Sequence, residues 1–387
     1  MYPNRVPSKD TDSSPLAEPL RLEPSGKVAK NRLLKAAMTE QLSTWDPVKH
    51  EKRGIPTPEL VNLYTRFGEG GFGLVLTGNI MFEYDHLEGA GNVIIPPGAP
   101  FSGERFGLLK RVAEAAKKHG SLVIAQLSHP GRQVAMNIQP NPISASDVQL
   151  KTNEMGMESG VPRPMEEADF ARIIEGFAHA TEYCYRAGFD GIQLHAAHGY
   201  LLAQFLSPST NKRSDQYGGP LLNRSRLIFE IAAEIRKRIP TSFAMGIKLN
   251  SVEFQEDGFS VADCKQLCAE IEKHKFDFVE LSGGTYEELG FSHKRESTKQ
   301  REAFFLEFAE KVKINLNKTK IFVTGGLRTV DAMVRALDTV DGVGLGRPVS
   351  HESDLAEKIL NRGVKSAIEP LLDSQDFFMT AVAAGAQ

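Results

Sequence analysis

The run His195-Ala196-Ala197-His198-Gly199-Tyr200 sets two imidazoles three residues apart and a phenol two residues beyond them. Imidazole N–H groups at that spacing can converge on one oxygen, and a phenol with a reference pKa of about 10 can deliver a proton beside it. The set suits polarisation of a carbonyl group. A metal centre would need a third ligand, and none stands nearby in the sequence, so oxyanion stabilisation is the better reading and no metal site is expected. Hydrogen-bonded structural histidines are the bland alternative. A second set is Gly325-Gly326 and Gly346-Arg347. The glycines would let backbone N–H groups approach an anion such as phosphate, and Arg347 would add a bidentate donor, although tight turns alone also call for glycine. Lys248 sits in an apolar run, where an unpaired ammonium is expensive, so it calls for an electron-rich partner. That partner is either a negatively charged ligand edge or an internal carboxylate such as Glu280.

Elements that would position these groups recur through the chain. Eight short apolar runs read as strands: Arg32 to Ala37, Leu74 to Thr77, Ser121 to Gln126, Gly191 to Leu194, Phe243 to Leu249, Phe278 to Leu281, Ile321 to Thr324 and Gly342 to Leu345. Most are continuously apolar, as parallel strands covered by helices should be. Segments of 3.6-residue periodicity separate them. Pro58 to Glu69 has Thr57 as its N-cap, and Arg105 to His119 stops at Gly120. Stripes from Phe170 to Cys184 and from Leu227 to Ile235 follow, then Val261 to His274 with a Ser260/Asp263 capping box, Ala303 to Asn315, Val330 to Leu337 and Asp354 to Leu360. Strand and helix alternating eight times predict an α/β fold, a single (β/α)8 TIM barrel over residues 20–365 with loop insertions at its C-terminal face. Flexible tails are expected over 1–19 and 366–387. The rival doubly wound sheet usually shows a glycine-rich turn after its first strand, which Arg32 to Met38 lacks. The longest insertion, Gly131 to Pro164, should lie over the face where barrels carry their chemistry.

The composition narrows the function classes. The chain has 387 residues, 41% hydrophobic and 25% charged, with a net charge of −3. That balance offers no electrostatic footprint for nucleic acid or an anionic membrane. No apolar stretch approaches a membrane span, and the first nineteen residues do not resemble a signal peptide, so a soluble, cytoplasmic protein is expected. Cys184, Cys264 and Cys268 are too few and too scattered for a disulfide framework, zinc or an iron–sulfur cluster, and buried filler is their expected role.

The strand tips resemble a known family along roughly Leu20 to Leu360. Asn31 to Thr39, Gln126 to Gln133, and above all the run from Gly188 through His195, His198 and Tyr200 to Tyr217-Gly218-Gly219 and Asn223-Arg224 look like the old yellow enzyme family of FMN-dependent ene-reductases. The resemblance implies non-covalent FMN at the barrel mouth. Thr39, Gly78 and Gln126 match positions that contact the flavin ring, Lys248 matches a basic position facing its pyrimidine edge, and Gly325, Gly326, Gly346 and Arg347 match the phosphate cradle. His195 and His198 match the pair that binds the substrate's activating oxygen, and Tyr200 matches the proton donor.

The implied reaction is ping-pong. NADPH or NADH reduces the flavin and leaves; a small-molecule enone or nitroalkene then takes hydride at its β-carbon and a proton at its α-carbon. Thr39 stands where one bacterial branch has Cys, Ser128 where yeast-like members have Trp, and Gln41 where the Cys-bearing branch has an aromatic. A roomier pocket is expected, while substrate orientation, nicotinamide preference and assembly as a homo-oligomer are left open. A flavin-binding barrel of low turnover or isomerase role, and a cofactor-free lyase acting on a phosphorylated substrate, are the alternatives.

Overall fold

The computed structural model describes residues 4–150, 158–250, 258–282 and 316–369. Eight parallel strands form the predicted barrel: β1 (Leu33–Lys35), β2 (Leu74–Met81), β3 (Leu122–Leu127), β4 (Gly191–Ala196), β5 (Ala244–Asn250), β6 (Phe278–Ser282), β7 (Lys320–Thr324) and β8 (Gly342–Leu345). Each pairs with the next in chain order, and β1 pairs with both β2 and β8, which closes the ring. Every residue of β2, β4 and β5 is buried, since one face fills the barrel and the other meets the helices. Inside, Phe278 and Phe322 lie against glycines. A Cβ on Gly246 would fall 2.2 Å from the Phe278 ring, and one on Gly342 2.4 Å from the Phe322 ring. Large and small residues thus share a layer. An antiparallel hairpin, Leu20–Arg21 with Val28–Ala29, packs Leu20, Leu22 and Ala29 onto this interior at the N-terminal end.

Among the described residues, seven helices cover the outside: α1 (Pro58–Glu69), α2 (Gly103–Lys117), α3 (Glu167–Arg186), α4 (Arg226–Arg238), α5 (Val261–Lys273), α6 (Val330–Ala336) and α7 (Leu355–Asn361). Their starts follow the capping chemistry in the sequence. Thr57 Oγ1 accepts from Leu60 N at 3.4 Å, and Ser260 and Asp263 cap each other's backbone as predicted. The helix expected over Ala303 to Asn315 lies outside the described residues. The three cysteines are buried and free of disulfides, and burial pushes the Cys184 thiol up.

Three features differ from the sequence reading. β2 continues four residues past Thr77, through a register shift that pairs Asn79 with Gln126 and Ile80 with Leu127. Such irregularities re-aim side chains, and this one turns Asn79 into the mouth. The N-terminal stretch expected to trail in solvent is exposed over most of its length but anchored at separate points. Val6 and Leu16 are buried, Val6 N donates to Ala367 O at 3.0 Å, and Arg5 pairs with Glu352. Ala367, in the other expected tail, is fully buried. The long insertion contains a short parallel pair, Ile143–Ser144 with Arg163–Pro164, and Ser144 Oγ donates to Gln204 Oε1 at 2.8 Å.

Candidate functional site

β4 carries His195 to the C-terminal mouth of the barrel, and the chain turns through His198 to Tyr200. His198 has a φ of 57°, a left-handed conformation held by its N–H donating to Asn250 Oδ1 at 3.0 Å. The turn brings His198 Nδ1 within 3.2 Å of His195 Nε2, with the rings nearly perpendicular, and sets the Tyr200 ring 4.3 Å from that of His195. His198 Nε2 lies 3.0 Å from Ser282 Oγ at the end of β6. Burial, with the Lys248 ammonium nearby, lowers His198 to about 3. Burial first, then His198 and Lys248, hold His195 well below the usual imidazole range. Both rings are therefore neutral near pH 7.

Thr39, at the β1 end, is joined to this group through Asn79. The Asn79 amide nitrogen lies 3.3 Å from Thr39 Oγ1, 3.2 Å from the Tyr200 hydroxyl and 2.7 Å from Glu88 Oε2, while its oxygen is 3.0 Å from His195 Nδ1. Asn79 stands with Gly78 at the tip of the second strand but was given no role in the sequence reading, and Glu88 was not singled out. Gly78 itself is needed for a close approach: a Cβ there would fall 2.2 Å from Glu40 Oε2 and 2.4 Å from Met38 O. Its N–H donates to Glu40 Oε1 at 2.7 Å, and Glu40 also accepts from the Tyr64 hydroxyl. Lys35, behind this group, donates to Leu76 O at 2.9 Å, and burial pushes its ammonium down to about 8.

Below the mouth, buried polar groups cross four neighbouring strands. Gln126 Nε2 donates to Gln193 Oε1 at 2.6 Å, Gln193 Nε2 to Glu280 Oε2 at 2.8 Å, and Lys248 Nζ lies 3.0 Å from Glu280 Oε1. Lys248 thus has the internal carboxylate partner that the sequence named as one of two options. Gln193 was missed, although it lies two residues before His195 and so faces the same side of the strand.

The other glycines lie at the ends of β7 and β8, with Gly325 and Gly326 at φ values of 153° and 63°. Thr324 Oγ1 is buried there with no hydrogen-bond partner, and a Cβ added to Gly346 would meet only Met38 Sδ, at 3.9 Å. Two guanidinium groups converge on this corner: Arg328 and Arg347 both act on His351, whose pKa is lowered by burial first and by these charges next. Arg328 and His351 are additions to the predicted set. Open space over glycine, an unpartnered buried hydroxyl and clustered positive charge fit a phosphate. The predicted site residues thus fall at one end of one barrel. Gly283 and Gly284, after β6, lie outside the described residues.

A separate cluster, Glu83, His86 and His129, has metal-ligating atoms within 4.8 Å of one another. Gly131 N donates to His129 Nδ1 at 3.0 Å, so His129 Nε2 carries the hydrogen and donates to Glu83 Oε2 at 3.0 Å. His86 Nδ1 faces Glu83 and Asp85 at 3.0 and 2.9 Å, and Arg172 pairs with Glu83. Protons therefore occupy the space between these atoms, and the cluster acts as a hydrogen-bonded clasp between the loop after β2 and the tip of β3.

The model of the NADH:flavin oxidoreductase / NADH oxidase family matches residues 15–365. The NADH-dependent flavin oxidoreductase nadA of Aspergillus parasiticus is 48% identical over 375 residues, covering 96% of this chain and 84% of that one. The NADH-dependent flavin oxidoreductase iliE of Hypocrea jecorina is 31% identical over 363 residues, covering 88% of each. Among solved structures, an old yellow enzyme homologue from Zymomonas mobilis aligns with a TM-score of 0.70 at 22% identity, over 91% of this chain and 94% of that one. A morphinone reductase aligns with a TM-score of 0.72 at 22% identity over 96% of each chain. These structural likenesses are of fold, while the family match and the 48% relative carry the assignment: the chain belongs to the NADH:flavin oxidoreductase family of old yellow enzymes and is a flavin-dependent oxidoreductase.

Proposed function

We propose that the protein reduces activated C=C bonds of α,β-unsaturated carbonyls or nitroalkenes, with NADH or NADPH as reductant. The observation that carries this reading is the buried, neutral His195/His198 pair at 3.2 Å with the Tyr200 phenol beside it. FMN, when bound, supplies two-electron transfer from the nicotinamide to the substrate. Gly325, Gly326, Gly346 and Arg347, joined by Arg328, would hold its phosphate, and Thr39, Gly78, Gln126 and Lys248 would line its ring. A carbonyl or nitro oxygen entering the pair replaces the contact between the two imidazoles. There His195 and His198 hold the oxygen while charge develops on it, in a site where burial strengthens each hydrogen bond. Tyr200 carries the proton for the α-carbon, and its oxygen is steadied by the Asn79 amide at 3.2 Å. Gln133, in the insertion, donates to His198 O at 3.1 Å and so ties that loop to the site.

The purified protein should be yellow and should bleach anaerobically with nicotinamide; the names of its relatives make NADH the first to try. Reoxidation by cyclohexenone or a nitroalkene is the expected result. Bleaching with no reoxidation by any such acceptor would favour the low-turnover or isomerase reading instead. Membership of the flavin family removes the cofactor-free lyase from consideration. Among the described residues, no helix is long and apolar enough to cross a membrane.

A further inference from the structure

We propose that Arg5 and Glu352 are positioning residues for FMN: the N-terminal arm ties the turn after β7 to the short helix after β8, and so sets how tightly the phosphate corner holds its ligand. The inference deepens, and rests on, the reading of Gly325, Gly326, Arg328, Gly346 and Arg347 as that corner.

The corner is built from two turns that leave neighbouring strands. The first is tied to the arm through residues 365–369. Val330 N donates to Lys365 O at 2.9 Å, and Ala367 N donates to Arg328 O at 2.8 Å. On their other edge the same residues pair with the arm: Val6 N donates to Ala367 O at 3.0 Å, Glu369 N to Asn4 O at 2.8 Å, and Ser366 Oγ to Val6 O at 2.5 Å. Arg328, one of the positive charges of the corner, is thus two hydrogen bonds from Val6.

The second turn is reached by the Arg5 side chain. Its Nη2 lies 2.5 Å from Glu352 Oε1 and its Nη1 3.1 Å from Oε2. Glu352 directly follows the helix Arg347–His351, and its own N–H closes the end of that helix on Pro348 O at 3.2 Å. The same guanidinium donates to Ser366 O, so one side chain spans both turns. Farther along the arm, Lys365 Nζ donates to Thr11 O at 2.9 Å, and Ser13 Oγ donates to Ile359 O of α7 at 3.3 Å. Glu352 is buried, with only Lys358 Nζ, at 2.9 Å, as a second cation, so loss of Arg5 leaves its carboxylate poorly compensated and frees the helix end. A cradle whose halves are fixed in advance spends no binding energy on ordering them. When the fraction of molecules in that geometry falls, the apparent Kd rises in proportion.

The test is the affinity of the full-length protein for FMN and for riboflavin, read from the fluorescence of released flavin. Arg5→Met should weaken FMN binding roughly tenfold and leave riboflavin, which has no phosphate, nearly unchanged. Glu352→Gln separates positioning from simple charge. Removing a negative charge near a phosphate tightens binding if long-range attraction governs, whereas positioning requires that this variant also lose FMN affinity. The double variant should be no worse than either single one, because both break the same contact. Tighter FMN binding by Glu352→Gln, unchanged affinity in Arg5→Met, or an equal loss for riboflavin would overturn the proposal. A wild-type measurement covers variants that fold poorly: by reciprocity, the Val6 and Ala367 amides should exchange hydrogen more slowly with FMN bound than with riboflavin. Equal exchange would also overturn it. An Arg347→Met variant that loses FMN and riboflavin equally would instead defeat the phosphate-corner reading, and this inference with it.

Discussion

His198 Nδ1 lies 3.2 Å from His195 Nε2, and the second of these rings has the Lys248 ammonium as well as its partner pressing against protonation. The consequence for stability has a definite sign. His198 is lowered to about 3 in the folded protein, against ~6.5 in an unfolded chain. As pH falls, the unfolded chain takes up the proton first, so stability is complete above about pH 6.5 and is lost progressively toward pH 3. In urea unfolding across that window, His198→Asn should show a shallower pH dependence, by up to one proton. Parallel slopes for variant and wild type would contradict the burial effect.

Tyr200 stands beside the imidazole pair with its oxygen accepting from Asn79. Tyr200→Phe should slow reoxidation by cyclohexenone by roughly 10²- to 10⁴-fold, the usual range for a general acid. Reduction by nicotinamide, followed separately by stopped-flow bleaching, should be spared. Equal slowing of both halves would remove Tyr200 from the proton-donor role.

Lys248 and Glu280 form a buried pair at 3.0 Å, with Gln193 on the carboxylate's other oxygen. Lys248→Met leaves that carboxylate without its cation and should cost about 3–5 kcal/mol in denaturant unfolding. Adding Glu280→Leu should restore most of the loss, because the uncompensated charge is then gone. A single variant as stable as the wild type would show that the pair is not structurally coupled.

Arg347 opens the turn beyond β8, where it and Arg328 act together on His351. Losing a charge-assisted hydrogen bond to phosphate is worth ~1.5–3 kcal/mol. Arg347→Met should therefore weaken FMN binding about 10- to 100-fold, read from the fluorescence of released flavin, while riboflavin binding changes little. An equal loss for both ligands would place the arginine away from the phosphate.

Much of this arrangement was legible from local pattern. Apolar runs with β-branched residues marked all eight strands, and Thr57-Pro58 and Ser260/Asp263 marked helix starts, because capping and burial act within a few residues. The strand tips then indicated His195, His198, Tyr200, Lys248 and the glycines of β7 and β8. Asn79 stood at a strand tip without a role, because only pairing with β3 through a shifted register aims it at His195. Glu88, Gln193 and Arg328 were silent, since a polar residue gains meaning only from what faces it.

The sequence by itself determined the barrel, the end at which its chemistry lies and the residue types gathered there, all of which follow from periodicity and from chemistry borne by single side chains. Tertiary structure alone decided that Lys248 meets Glu280, that Val6 and Leu16 pack instead of trailing, and that Asn79 lies between His195 and Glu88. The direction of a hydrogen bond is a property of two groups and their neighbours, and strand closure brings together residues more than a hundred positions apart, such as Asn79 and His195, at a distance where that direction is set.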